Sequence, residues 1–135
     1  YELLFFYNVY GSGQILSGPM SAVIGIFETQ FKKKIPLTIV KPGSQKRDFT
    51  HIEDIIKGCY LAFIKGKQDE YMLCSKEQYT ILQIAKMFKT KIRFLPQREG
   101  ERSSASVPNN NSLNHLGYMP KIHIKDYIKS YIKEK

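Results

Sequence analysis

The chain has 135 residues, of which 42% are hydrophobic and 13% aromatic, and its 21 lysines and arginines against 12 acidic residues give a net charge of +9. This length predicts one domain, and the hydrophobic fraction excludes an intrinsically disordered chain. No apolar run approaches the roughly 18 residues of a membrane span, and no signal-peptide pattern opens the sequence, so no membrane partner is expected. Because the chain begins with Tyr1 in an apparent core strand, we expect a piece of a longer protein.

The first half of the chain predicts strands alternating with helices. Residues 3–9 form a continuous apolar stretch, typical of a buried parallel strand. A glycine-rich loop follows, and Pro19 then suits the first turn of a helix. A short β-branched strand is predicted over residues 37–40, and an extended piece over residues 47–51 leads into a helix that stops at Gly66.

The second half continues this alternation. A strand over residues 70–74 precedes a helix that Thr80 can cap. Polar and apolar residues alternate over residues 91–95, which predicts a strand with one solvent-exposed face. Residues 96–111 predict the longest loop, and residues 124–132 carry the apolar stripe of a last helix. Strands that alternate with helices indicate the α/β class.

The two cysteines are too few for a disulfide framework. Cys59 falls on the apolar face of a predicted helix and Cys74 in a predicted strand. We therefore expect buried thiols in a reducing, cytoplasmic environment. Without a quartet of cysteines and histidines, no zinc site is predicted.

Four sequence segments, in this order, cover almost the whole chain. The first reads Y-N-V-Y-G-S-G-Q over residues 7–14. The second joins P-L-T-I-V over residues 36–40 to Q-K-R-D-F-T-H-I-E-D-I over residues 45–55. The third is L-P-Q-R-E-G-E over residues 95–101, and the fourth is L-G-Y-M-P over residues 116–120. Together they resemble the C-terminal part of extended short-chain dehydrogenases, the NAD-dependent epimerase/dehydratase family that acts on nucleotide sugars.

The resemblance implies a small mixed α/β lobe over residues 1–135 that binds a nucleotide sugar, with the N-terminal, NAD-binding Rossmann lobe absent from the chain. The family's catalysis needs a Gly-rich turn and a Tyr-x-x-x-Lys pair, and neither stands in the right place here. The chain alone is therefore expected to be inactive, and no catalytic residue is assigned to it.

Among members of the family, the segments are most similar to UDP-glucose and other UDP-hexose 4-epimerases. These enzymes use NAD to oxidise C4 of the sugar and return the hydride to its other face. A 4,6-dehydratase or a reductase of the same family is the alternative. The implied partners are a nucleotide-diphosphate sugar such as a UDP-hexose, the missing Rossmann lobe and, through helices of that lobe, a second copy in a homodimer.

Two arginines have the chemistry expected at a diphosphate. A guanidinium keeps its charge and offers paired donors to phosphate oxygens. Arg47 and Arg98 each lie where a predicted strand meets a loop, and the resemblance assigns both to the diphosphate. From the residues alone, a surface salt bridge of Arg47 with Asp48 or Glu53 is the alternative.

The resemblance also assigns the other ligand contacts. Glu101 matches the residue whose carboxylate accepts hydrogen bonds from the ribose hydroxyls, and Asn8 matches one that binds the sugar or phosphate. A solvated loop charge and a cap at a strand end are the structural alternatives for these two. Ser21 and Ala22 match a helix start that reaches the phosphate and sugar, and Thr38 and Val40 match the strand whose backbone edge reads the base. Phe49 matches an aromatic residue near the site, with core packing as its alternative. Phe6 and Tyr7 match positions beside the nicotinamide of NAD.

A basic module that binds nucleic acid, or an interaction domain without catalysis, is the alternative from another class. The charge of +9 permits nucleic-acid binding. Aromatic residues are not interleaved with the basic ones as they are on a base-stacking platform, so nucleic acid is disfavoured as a partner.

Overall fold

A computed structural model describes residues 1–100 and 109–135, and within these ranges the predicted α/β class is confirmed. The strands are β1 (Leu3–Phe6), β2 (Val9–Tyr10), β3 (Leu37–Val40), β4 (Lys46–Asp48), β5 (Thr50–His51), β6 (Glu70–Leu73), β7 (Gln78–Thr80) and β8 (Ile92–Leu95). The helices are α1 (Val23–Lys32), α2 (Ile52–Lys65), α3 (Ile81–Met87), α4 (Asn111–Leu116) and α5 (Ile124–Glu134).

The strands pair two by two. β1 pairs with β6, β2 with β5 and β3 with β8, all in parallel, whereas β4 and β7 are antiparallel. Parallel partners need long connections, and the intervening helices supply them. Each of these pairs therefore joins segments that are distant in sequence.

The first apolar stretch differs from the single buried strand that its sequence predicts. A left-handed residue, Asn8 with φ 37°, divides it into β1 and β2. In β1 the side chains of Leu3, Phe5 and Phe6 are exposed, that of Phe6 by 53%. The prediction of a buried strand is therefore wrong for these side chains of β1, whose only strand partner among the described residues is β6.

Two apolar cores hold the elements together. The larger core lies between α1, β3, α3 and α5 and the smaller one between α2, β6 and the end of α4. The buried residues are Tyr10, Ile24, Phe27, Leu37, Ile39, Phe49, Ile84, Ala85, Phe88, Ile124 and Ile128 in the larger core, and Ile55, Ala62, Tyr71, Leu73, Leu116 and Tyr118 in the smaller. The larger core fixes α1 beside β3, and the candidate site lies between these two elements.

The cysteines only partly match their prediction. Cys74 is buried, and burial raises the pKa of its thiol to about 11, whereas Cys59 is half-buried on α2. Within the described ranges no group of three or more histidine, cysteine, aspartate and glutamate side chains is placed to hold a metal ion. None of the helices in those ranges is both long and apolar enough to cross a membrane.

A buried carboxylate ties α1 to the last helix. Glu28 is only 5% exposed and accepts hydrogen bonds from Gln14 Nε2 at 2.8 Å and from Tyr127 Oη at 2.6 Å. Burial raises the pKa of Glu28 above its ordinary value of 4.5, against the opposing effect of these two donors. The carboxylate therefore orients the glycine-rich loop and α5 on α1, at a cost in desolvation.

This cost predicts that Glu28→Gln stabilises the chain at pH 7. The folded chain holds the Glu28 proton to a higher pH than the unfolded chain, so this group lowers the stability as the pH rises above about 4.5. A glutamine removes that loss and keeps both contacts, since Gln14 Oε1 is buried with no partner among the described residues and can accept after an amide rotation. Urea unfolding at pH 7 and pH 4 measures the free energy of unfolding of Glu28→Gln and the wild type, and the exposed Glu53→Gln is the control. We expect Glu28→Gln to be more stable than the wild type at pH 7 and equally stable at pH 4. A Glu28→Gln variant that is less stable than the wild type at pH 7 would contradict the prediction.

Candidate functional site

A cleft of about 350 Å³ opens between the start of α1, strand β3 and strand β4. Its walls are the apolar side chains Ile26, Leu95 and Ile81. No acidic side chain of the described residues lines it. Seven of the predicted substrate-binding residues do line it: Asn8, Ser21, Ala22, Thr38, Val40, Arg47 and Arg98.

The start of α1 presents unused hydrogen-bond donors to this cleft. Its N-cap residue Ala22 has no side chain that can accept a hydrogen bond, and the first turn carries no acidic residue. The first helical bond runs from Ile26 N–H to the carbonyl of Ala22, so it leaves the N–H groups of Val23 and Ile24 directed beyond the helix end. Ser21 Oγ is buried there without a partner among the described residues. Such a helix start binds anions.

Arg47 reaches the cleft because strand side chains alternate between faces. It is half-buried on the cleft wall, and its Nη1 donates to the carbonyl of Lys46 at 2.8 Å. The next residue, Asp48, is buried on the opposite face, where its Oδ1 accepts from Ser75 N at 2.9 Å and Ser75 Oγ at 2.8 Å. No ion pair joins Arg47 to Asp48 or to Glu53 in the described part of the chain.

The other residues of the R-D-F-T-H-I-E-D segment have structural contacts. Phe49 is 2% exposed in the larger core and does not line the cleft, so its placement matches the core-packing alternative. His51 Nδ1 accepts from the backbone N–H of Glu53 and so caps α2. Asp54 Oδ2 accepts from the backbone N–H groups of Lys121 and Ile122 before α5. Of this segment, only Arg47 has its side chain on the cleft.

Asn8 combines a structural contact with a position on the cleft. Its left-handed backbone ends the first strand, a conformation that asparagine tolerates better than most residues. Its Nδ2 donates to the carbonyl of Asp48 at 2.9 Å, which ties β4 to the end of β1. One side-chain N–H is used in this way, and the other N–H and the amide oxygen are the groups with which it can bind a ligand.

Two further predicted residues lie outside this cleft, and a third is not described. Phe6 and Tyr7 are at the end of β1, and neither lines this cleft. Glu101 falls outside the described residues and follows Arg98 by three positions in the sequence. The residues that line the cleft without having been predicted are mainly apolar walls, such as Ile26 on the same side of α1 as Ala22. Helical spacing alone could have indicated Ile26, whereas Leu95 and Ile81 depend on tertiary packing.

The fold and the cleft together define an α/β lobe with a candidate anion-binding site at a helix start. The chain belongs to the NAD dependent epimerase/dehydratase family, whose model matches residues 2–74, more than half of the chain.

Curated relatives are similar at low identity. UDP-glucuronic acid decarboxylase 4 of Arabidopsis thaliana is 24% identical over 135 residues, covering 95% of this chain and 30% of the relative. The dTDP-4-dehydro-6-deoxyglucose reductase of Escherichia coli is 25% identical over 134 residues, covering 93% of this chain and 42% of the relative. The chain thus spans less than half the length of these relatives.

Solved structures share the fold. The UDP-glucose 4-epimerase of Thermotoga maritima, solved with UDP-glucose, has a TM-score of 0.90 at 23% identity and matches 98% of this chain and 45% of its own. A UDP-glucuronic acid 4-epimerase variant of Bacillus cereus, solved with a fluorinated UDP-glucuronic acid and NAD, has a TM-score of 0.82 at 26% identity and the same two coverages.

The site geometry predicts that Asp48→Ala destabilises the chain although Asp48 is no ligand. The change removes the acceptor of three hydrogen bonds, from Ser75 N, Ser75 Oγ and Thr50 Oγ1. We expect a loss of about 2 kcal/mol in the free energy of unfolding. Urea denaturation measures this loss. Glu53 is an exposed acid of the same segment, and Glu53→Ala, as the control, should lower the free energy of unfolding by less than about 1 kcal/mol. Equal losses in both variants would contradict the assignment.

Proposed function

We propose that this chain is the nucleotide-sugar-binding lobe of an NAD-dependent nucleotide-sugar 4-epimerase, of the UDP-hexose type. One observation carries the proposal: Arg47, Arg98 and the uncapped start of α1 converge on a single cleft free of acidic side chains among the described residues. A nucleotide sugar contributes a diphosphate with about two negative charges, and paired guanidinium donors with open helix N–H groups match it.

The cleft has room for the nucleoside beside the diphosphate. Thr38 and Val40 of β3 supply polar backbone groups at one wall, and Ile26 and Leu95 supply apolar contacts. Glu101, which follows Arg98 by three residues, is assigned to the ribose hydroxyls. Holding the nucleotide and the phosphates, this chain would leave the hexose free to present either face, which is what an epimerisation needs.

Bound NAD would supply reversible hydride chemistry at C4 of the sugar in such an enzyme. The residues of this chain assigned to NAD are Phe6 and Tyr7 at the end of β1. The exposed ring of Phe6 fits contact with a planar nicotinamide. This chain would bind and position the sugar, and the hydride and proton transfers would depend on residues of the lobe that holds NAD.

The Rossmann lobe is the proposed partner of an exposed apolar face. This face consists of Ile56, Tyr60 and Phe63 on α2, and Phe63 is 86% exposed. The α2 residues follow at helical spacing along one side of the helix, a pattern that elsewhere in this fold is buried. Residues 1–135 then form one domain, which binds substrate but turns nothing over by itself.

A 4,6-dehydratase or a reductase would use the same cleft, since these activities share the nucleotide-diphosphate. Relatives of both kinds are similar to this chain, including the Escherichia coli reductase and a dTDP-glucose 4,6-dehydratase from Streptomyces venezuelae with a TM-score of 0.84. The choice of the 4-epimerase rests on the sequence segments around Thr38 and Arg47.

Calorimetric titration of the chain with UDP-glucose and with UDP tests the proposal. Binding of both is expected, weakened about tenfold or more by Arg47→Ala and by Arg98→Ala, because each removes charged hydrogen bonds to phosphate. Arg93→Ala is the matched control, since Arg93 is an exposed arginine of β8 that does not line the cleft. UDP binding that is equally strong in all three variants would place the diphosphate elsewhere and contradict the proposal.

A further inference from the structure

Gln30 of α1 and Thr38 of β3 form a two-point hydrogen-bonded pair beside the cleft. The backbone N–H of Thr38 donates to Gln30 Oε1 at 3.0 Å, and Gln30 Nε2 donates to Thr38 Oγ1 at 2.8 Å. Thr38 lines the cleft, whereas Gln30 does not. Gln30 therefore acts on a bound ligand only through Thr38.

The proton positions in this pair follow from its chemistry. A backbone N–H can only donate, so the oxygen of the Gln30 amide must face it. The NH₂ of Gln30 then faces Thr38 Oγ1, which must accept. The hydroxyl hydrogen of Thr38 is left to donate to another group, and no described residue accepts it. Gln30 thus leaves the hydroxyl of Thr38, a residue that lines the cleft, as a donor.

The same pair decides which backbone groups β3 offers. Successive residues of a strand direct their backbone groups to opposite edges. Leu37 N and Lys41 N donate to the carbonyls of Lys91 and Leu95 in and beside β8, so the backbone groups of Thr38 lie on the other edge, with those of Val40. Gln30 occupies the Thr38 N–H, and Gln45 Nε2 donates to the Val40 carbonyl at 3.5 Å. The Thr38 carbonyl and the Val40 N–H have no partner among the described residues and are left there for a ligand.

We propose that Gln30 is a positioning residue that makes this site prefer an imide base, uracil or thymine, over cytosine. The inference rests on the proposed function. Thr38 and Val40 offer a hydroxyl donor, a carbonyl acceptor and an N–H donor. The imide edge of uracil or thymine carries the complementary acceptor, donor and acceptor, whereas the corresponding edge of cytosine carries two acceptors and a donor. Discrimination of this kind comes from leaving a polar group unpaired with the wrong ligand.

The test compares UDP with CDP on the whole chain, by calorimetric titration of the wild type and Gln30→Glu. A carboxylate accepts from both the N–H and the hydroxyl of Thr38, so the hydroxyl would turn its lone pairs to the cleft and become an acceptor. We expect the wild type to prefer UDP, and Gln30→Glu to lower the ratio of UDP to CDP affinity about tenfold. The added negative charge repels both diphosphates equally and cancels in the ratio.

Two further variants separate this role from a loss of structure. Thr38→Val removes the hydroxyl, and in that background Gln30→Glu should leave the ratio unchanged. Gln30→Met is similar in size but apolar, so it frees the Thr38 hydroxyl to donate or accept. It should therefore also lower the ratio of UDP to CDP affinity. If thermal unfolding shows that Gln30→Glu is misfolded, Gln30→Met replaces it in the test.

The outcomes distinguish this inference from the function on which it rests. A wild type that binds UDP and CDP equally, or a ratio that stays the same in Gln30→Glu and Gln30→Met, overturns the role of Gln30 and leaves the diphosphate site standing. A wild type that binds neither nucleotide overturns the proposed function and the inference with it.

Discussion

The uncapped first turn of α1 lies beside β3 because the larger apolar core holds both elements. Ile24 and Phe27 of the helix pack with Leu37 and Ile39 of the strand, and all four are buried. The start of the helix also lines the cleft through Ala22 and Val23, and its first N–H groups have no intrahelical partners. Packing in the core and unused donors at the cleft are both consequences of where this helix begins. The arginines add charge to a site that the backbone already provides.

The R-D-F-T-H-I-E-D segment shows how one short sequence serves both stability and binding. Asp48 accepts hydrogen bonds from Ser75 and so holds β4 against the segment that follows β6. These hydrogen bonds fix the strand face from which Arg47 projects. His51 caps α2, and Asp54 holds the backbone that leads to α5. A motif match alone cannot separate these roles, since every residue in the segment except Ile52 is polar or aromatic and could contact a ligand.

Sequence reasoning succeeded where local patterns decide the structure. The helices and most strands follow from apolar periodicity and caps such as the Thr80 and Gln83 capping box. Seven of the proposed ligand residues lie on one cleft, but Phe49 lies in the core. A single sequence could not reveal this difference, because the face of a short, irregular strand is set by tertiary packing. The exposure of β1 could not be predicted, because a run of apolar residues does not show which element packs against it.

Gln30 is the clearest case of a residue that only the structure identifies. It belongs to none of the four sequence segments and lies on the polar side of a predicted helix. Its importance comes from its distance to Thr38, eight residues away across a helix–strand turn.

The most direct test of the site is a titration of the ¹⁵N-labelled chain with UDP, followed by amide chemical shifts. The proposed function puts the diphosphate at the helix start, so the largest shifts are expected for the amides of Val23 and Ile24 and for the side-chain Nε–H of Arg47. The amides of Tyr60 and Phe63, on the exposed face of α2, should not move. Shifts confined to that face, or to the lysine-rich helix α5, would contradict the account.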